Sequence, residues 1–407
     1  MNSRVEYMNK MATILKVATR TVGIREVDSV EGIGDSIKEN IDGLYLINSA
    51  KNEDKQRVPN EFTLYGGITT KLVRNPKSYF SLKQIGDTHY LFSDFVEEPL
   101  LPVKFTKRPS HYGQITSRGT RMEEIGQAMG MDCLAIAVRR KCSYFAAKVP
   151  CGYCNISPTR NTSKLPISSN LEDIGETVAL AGKEFKYFAL TGGTFKDTDE
   201  ECGAYTKMGQ VIKDNIGEDS YSGPFSLTPP KNLDLLQSLH ETGVDVISFN
   251  IDVWDDEALR KVCPGKFKIG KRHYEEALLE GSRLWGKGNS VVQFLAGPWE
   301  SNESLLGASQ HFLDMGILPN ITSYFPSPKS PMSKTGKPKT LKDILGLYID
   351  YGHLVRDSGL FPNKRKSILT SPSGNRSSIA NEVARGYLTK DNFNPEEDLL
   401  FAGGLNG

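Results

Sequence analysis

From about Asp132 to about residue 332, short apolar runs rich in β-branched and aromatic residues alternate with longer stretches whose apolar positions recur every three or four residues. Strands and helices in this alternation build βαβ units, and a succession of such units makes a mostly parallel sheet or barrel with helices outside it. The strand-like runs are "CLAIAVRR", "KYFALTGG", "GPFSLTPP", "VDVISFNID", "SVVQFLAG" and "NITSYFPSP". Between them "SNLEDIGETVALAGKE" predicts a helix, with Ser169 and Glu172 in capping-box spacing and Leu171, Ile174 and Val178 on one face. Tyr205, Met208, Ile212 and Ile216 mark a second helix, and "KNLDLLQSLHETG" a third, stopped by Gly243. Tyr274, Ala277, Leu278, Gly281 and Trp285 mark a fourth, and Asn302 to Gly316 a fifth.

The expected fold is α/β: an open (βα)6 partial TIM-type barrel over residues 126–332. Residues 1–125 read as a separate, partly β extension containing "GLYLINSA", "FTLYGGITTKLV" and "HYLFSDFV". Residues 333–407 read as a C-terminal helical cap built on "LKDILGLYIDYGHLVRDSG", with a loosely ordered tail from Phe393.

Fifty basic residues against forty-nine acidic ones leave a net charge of +1, so no polyanion is indicated and nucleic acid is not expected as the partner. No apolar run approaches the roughly 18 residues of a membrane helix, so no membrane partner is expected. The first residues carry Glu6 and Glu26 and lack both a secretory apolar core and an acid-free transit pattern, which points to the cytoplasm. In a reducing compartment clustered thiols are metal-binding or catalytic rather than a disulfide framework.

Three of the six cysteines, Cys142, Cys151 and Cys154, form C-x8-C-x2-C just after the first strand of the alternating region. In a βα barrel that end of the strand is the face on which active sites are built. A structural zinc needs four ligands, whereas an iron–sulfur cubane held by three thiolates leaves one iron open. Cys133 at the far end of that strand, Cys202 and Cys263 fall on different parts of the fold and are not expected to join the site or to form a second cluster.

Tyr153 just before the last cysteine, and the order of several turns that follow, resemble the radical S-adenosylmethionine (radical SAM) superfamily with a biotin-synthase-like core. The usual spacing of that family is C-x3-C-x2-C. The longer first gap resembles its non-standard branches, and most of all a group encoded beside nitrilase-type genes. "LTGGT" looks like the family's glycine turn, which implies that Thr191, Gly192 and Gly193 hold the methionine ammonium, with Thr194 in place of the usual glutamate. "SFNIDVWDDEALRKVCPGK" is similar to the ribose and carboxylate segment. It implies Asn250 and Asp252 for the ribose and Lys271 or Arg272 for the carboxylate, although Asn250 and Asp252 could equally end a strand and cap a helix. "FLAGPWESNESL" resembles the adenine turn, giving Leu295, Gly297 and Glu300, and "YFPSPKSPM" resembles a further turn with Lys329 where the family has glycine.

The resemblance implies a [4Fe-4S] cluster on the three cysteines and S-adenosyl-L-methionine on its open iron. It implies reductive cleavage to a 5′-deoxyadenosyl radical and hydrogen abstraction from a small-molecule substrate, with an electron donor such as flavodoxin or ferredoxin. The alternative from another class is a zinc-stabilised nucleic-acid- or protein-binding module without catalysis.

Overall fold

The structure is a computed structural model that describes residues 2–28, 61–129, 133–163, 165–185, 187–217, 221–327, 329–360, 383 and 386–403. The stretch "GLYLINSA" lies outside the described residues.

Residues 2–22, in which the sequence analysis places no element, form helix α1 (Asn2–Val22). Its Met11, Ile14, Leu15 and Ala18 are buried at helical spacing. It ends at Gly23, whose φ of 86° is open to glycine. Strand β1 (Glu26–Val27) then pairs with β4 (Phe80–Ile85) in a sheet completed by β5 (Thr88–Ser93) and β6 (Val96–Val103), while β2 (Glu61–Thr63) and β3 (Thr69–Lys71) form a separate hairpin.

The main sheet has seven strands in sequential order, β7 (Gly126–Met129), β8 (Cys133–Ala137), β9 (Tyr187–Thr191), β10 (Tyr221–Leu227), β11 (Val244–Phe249), β12 (Ser290–Ala296) and β13 (Leu318–Ser323). Strands β8 to β13 are all parallel, and β7 adds an antiparallel edge beside β8. Among the described residues the sheet does not close on itself, so the six parallel strands make the open partial barrel that the alternation predicts. β8 is buried along its whole length, as a strand covered on both faces must be. Its Leu134 and Ile136, with Phe188 and Leu190 of β9, enter the main core, while Cys133, Ala135, Tyr187 and Ala189 form a smaller cluster on the other face. Thr191 continues that second face into the cavity described below.

The covering helices are α2 (Ser143–Ala146), α3 (Ile156–Ser163), α4 (Leu171–Ala181), α5 (Thr198–Ile216), α6 (Leu235–His240), α7 (Asp256–Val262), α8 (Pro264–Ile269), α9 (Lys271–Trp285), α10 (Asn302–Asp314) and α11 (Leu341–Asp357). The cap of α4 differs from the capping-box expectation: Asn170, not Ser169, accepts from Glu172 N–H, while Ser169 Oγ accepts from Arg140.

The N-terminal stretch is not apart from the barrel. α1 lies against α11, and its apolar face belongs to the same core as the sheet. The tail expected to be loose from Phe393 is seated instead, because its ends find partners. Asn394 caps a short helix, Pro395–Asp398, whose Asp398 pairs with Lys10 at 2.8 Å, and Phe401 packs on Phe80 while its carbonyl accepts from Ser93 Oγ. Among the described residues no helix is long and apolar enough to cross a membrane.

Candidate functional site

The cysteine loop begins where β8 ends. Buried Arg140 fixes its start by donating to Glu124 O at 2.6 Å and to Ser169 Oγ at 3.2 Å. Cys142 N–H then donates to Ser157 Oγ at 3.0 Å, and Ser143 N–H to Thr194 O at 2.8 Å. The eight residues between Cys142 and Cys151 are taken up by the single turn of α2 and by Lys148 in the left-handed region at φ 58°. The chain thereby doubles back, and Val149 N–H closes on Tyr144 O at 2.8 Å. Gly152 is tied on both sides, donating to Val262 O at 2.7 Å and accepting from Met332 N–H at 2.8 Å.

Cys142, Cys151 and Cys154 line one cavity of about 230 Å³, together with Tyr153, Thr191, Gly192, Gly193, Asn250, Asp252 and Leu295. All of these are positions that the sequence analysis nominates, and they come from the ends of β8, β9, β11 and β12. The glycine turn is shaped by the cysteine loop. A Cβ on Gly193 would fall 2.7 Å from Cys142 Cα and N, and one on Gly192 would fall 2.8 Å from Arg139 N. The turn needs glycine because another backbone lies against it.

Asp252 is the electrostatic centre of the cavity. It is held at φ 67°, accepts from Tyr153 Oη at 2.5 Å, and pairs with Lys266 Nζ, which also donates to Asn250 O at 2.5 Å. Burial disfavours the Lys266 ammonium, yet the Asp252 carboxylate and the Cys151 sulfur beside it hold its pKa well above the usual value. Burial, reinforced by the Asp252 charge, likewise pushes the Tyr153 phenol well up. Burial raises the thiols of Cys142 and Cys154. Cys151 goes the other way, because the neighbouring Cys263 thiol and the Lys266 ammonium favour its charged form, which outweighs its own burial.

Four nominated residues, Arg272, Lys271, Glu300 and Gly297, stand elsewhere. Arg272 is not a cavity residue: its side chain is 91% exposed and bonds to Glu276 one turn on. Lys271 sits 3.9 Å over the Trp254 ring and pairs with Asp256. Gly270, at φ 90°, turns the chain into α9 so that both basic residues point away, and the lysine of the cavity is Lys266 on the preceding helix. Glu300 is buried, but its carboxylate is used by Trp254 N–H at 3.0 Å, Asp255 N–H at 2.9 Å and Ser304 Oγ, so it holds a loop. Gly297 is outside the lining too, close under the Trp299 ring. Lys329, where the resembled turn has glycine, does adopt φ 64°.

Cys263, expected apart from the site, is in contact with Cys151. Cys133 lies at the foot of β8 and Cys202 on α5, both outside the cavity. Also unanticipated are Arg20, reaching in from α1, and Tyr144, Gln293, Thr322 and Tyr324. Another is Glu201, whose buried carboxylate accepts from Phe195 N–H at 2.9 Å and Thr228 N–H at 2.8 Å while burial lifts its pKa to about 7.

The donor set suits a soft metal cluster, since three thiols face one cavity beside a buried cation. The hydroxyls of Tyr144 and Thr322, which line it, are buried without a hydrogen-bond partner among the described residues, leaving polar atoms for a ligand. Among the described residues no three His, Cys, Asp or Glu side chains are gathered closely enough to hold a metal ion, so the thiols share the cavity without meeting at one point.

No family model matches the chain. It is 23% identical over 133 residues to bacteriochlorophyllide c C-7(1)-hydroxylase of Chlorobaculum limnaeum, a match that spans 31% of this chain and 33% of that protein. Among solved structures it is similar to methylornithine synthase, with 16% identity, a TM-score of 0.39, and 62% of this chain and 69% of that one covered. It is also similar to the FeFe-hydrogenase maturase HydG from Carboxydothermus hydrogenoformans, with 13% identity, a TM-score of 0.44, and 66% and 59% covered. The chain spans about a third of the length of the curated relative it matches.

Proposed function

We propose that the chain is a radical SAM enzyme of the cytoplasm acting on a small molecule. The observation that carries this reading is that Cys142, Cys151 and Cys154 share one cavity with the Thr191–Gly193 turn and the Asp252–Lys266 pair. Cys142, Cys151 and Cys154 would hold a [4Fe-4S] cluster, three thiolates leaving one iron open for S-adenosyl-L-methionine. When bound, these groups supply one-electron cleavage of a sulfonium and hydrogen abstraction from substrate, with the electron delivered by a flavodoxin or ferredoxin.

The chain's own residues bind and orient. The carbonyls of the Thr191–Gly193 turn suit an ammonium, and Asn250 and Asp252 suit ribose hydroxyls. Leu295 offers an apolar wall to a base, and Lys266 takes the carboxylate role first assigned to Arg272. Tyr153 keeps Asp252 fixed through its phenol.

Anaerobic purification with iron, sulfide and zinc analysis, followed by reduction with S-adenosylmethionine and assay of 5′-deoxyadenosine, tests the reading. About four irons per chain and cofactor cleavage are expected. Cys142→Ala, Cys151→Ala and Cys154→Ala are each expected to lose colour and cleavage with the far-ultraviolet dichroism retained. Colour kept in all three overturns the ligand set. The zinc alternative draws on one observation, the fourth thiol of Cys263 beside Cys151, and stoichiometric zinc without sulfide would establish it.

A further inference from the structure

The cysteine loop has a second cavity on its other side. This one is about 870 Å³, and Cys142, Tyr144 and Thr194 line both cavities, so the loop is the partition between them. It opens across the ends of β8 to β10 and the start of α9, and its walls are apolar: Ala146, Ala147, Val149, Phe195, Pro229 and Ile269. Around these walls stand Arg139, Lys141, Lys196, Lys231 and Lys268, and no aspartate or glutamate lines the space. Lys231 is paired with Asp197 at 3.2 Å, whereas Arg139, Lys141, Lys196 and Lys268 have no ion-pair partner among the described residues. The Arg139 guanidinium lies 4.5 Å from the Phe195 ring, and its Nε is buried with no hydrogen-bond partner.

An apolar hollow of this size takes up an apolar body through the hydrophobic effect, and a few convergent polar groups fix its orientation. Here those groups share one sign. Four positive side chains, of which Arg139 alone has a carboxylate near it, the buried Glu201, favour an anionic head group and disfavour a cationic one, and a guanidinium matches the fork of a carboxylate or phosphate. A water-soluble anion with no apolar part would leave the walls wet, and a neutral lipid would leave the cations unanswered. We propose that this second cavity binds an amphipathic anion, an acyl chain or ring system ending in a carboxylate or phosphate, with its head on the Arg139, Lys141, Lys196 and Lys268 side. The site stands independently of the metal reading. Its occupant would press on the α2 turn that carries Cys142 at its start.

Isothermal titration of the full-length protein with decanoate, decyl phosphate and decylammonium, each below its micellar concentration, tests this. Saturable one-to-one binding of decanoate or decyl phosphate is expected, and whichever is tighter names the head group. Decylammonium is expected not to bind. Ala147→Trp, which fills the hollow, and Lys196→Glu, an exposed position that removes one charge and adds another, are each expected to weaken binding roughly tenfold or more. Lys196→Glu leaves the apolar wall intact, so it decides the matter if Ala147→Trp lowers the melting temperature. Equal binding of the ammonium, no saturable binding of either anion, or undiminished binding in folded Lys196→Glu overturns the proposal. So does Lys196-dependent binding of an acidic redox protein to a chain that ignores both anions, since the surface would then be a protein dock.

Discussion

The Cys263 thiol lies beside the sulfur of Cys151, and the backbone holds the two together through Gly152 N–H on Val262 O at 2.7 Å. Cys263 is fully buried at the junction of α7 and α8, so the contact is a packed one. A thiol close enough to polarise toward a cluster's ligand sulfur stabilises the reduced, more negative form.

Cys263→Ala is therefore expected to keep full iron content while the cluster's midpoint potential falls. The shift is on the order of 50 mV, the one-electron equivalent of a roughly 1 kcal/mol hydrogen bond. Redox titration followed by electron paramagnetic resonance measures it. Loss of metal in this variant would instead make Cys263 a ligand.

Gly193→Ala puts a methyl group against the Cys142 backbone, which cannot move as a side-chain tip could. Iron loading is expected to fall several-fold along with 5′-deoxyadenosine formation. The glycine-turn resemblance alone implies loss of cofactor binding with the cluster intact, so iron content separates the two roles.

Lys266 and Asp252 are a buried pair, with side chains 13% and 7% exposed. Removing one partner leaves an uncompensated charge. Lys266→Met is expected to cost about 3–5 kcal/mol in urea unfolding, and Lys266→Met/Asp252→Asn less than the sum of the single changes. Additive losses would mean that the pair is not coupled.

Glu201 has a folded pKa of about 7, above the ordinary carboxyl value of 4.5, so the folded chain holds this proton more tightly than the unfolded one. Its contribution is present in full below about pH 4.5 and is lost as the pH rises to about 7, on the order of 3 kcal/mol across that window. Unfolding free energies at pH 5 and pH 8 are expected to differ less in Glu201→Gln than in the parent. An equal difference would place the titration on another group.

The six parallel strands were legible because strand and helix periods alternate along the chain, and a uniformly apolar run such as "CLAIA" reads as a strand by its shortness and its place in that alternation. The cysteine loop was legible from residue type and place. Lys266 was not, since choosing among Lys266, Lys271 and Arg272 depends on where α8 ends, and the φ of Gly270 is not written in any periodicity. Glu300 misled for a different reason: a carboxylate in a turn has the same letters whether it meets a ligand or two backbone N–H groups. α1 carries an apolar face but no acidic first turn to announce it, and the seating of Phe401 on Phe80 depends on a partner more than 300 positions away.

Arg20, at the last turn of α1, donates to Ser323 Oγ at the end of β13 across 303 positions of sequence, and both line the cysteine cavity. The first wall to leave the ribosome thus waits for the last strand of the barrel. Until residue 323 has emerged the cavity has an unfinished side, open to solvent and to whatever ligand it takes. The order of synthesis, as much as the finished fold, then sets when this cavity can be filled and when it is sealed.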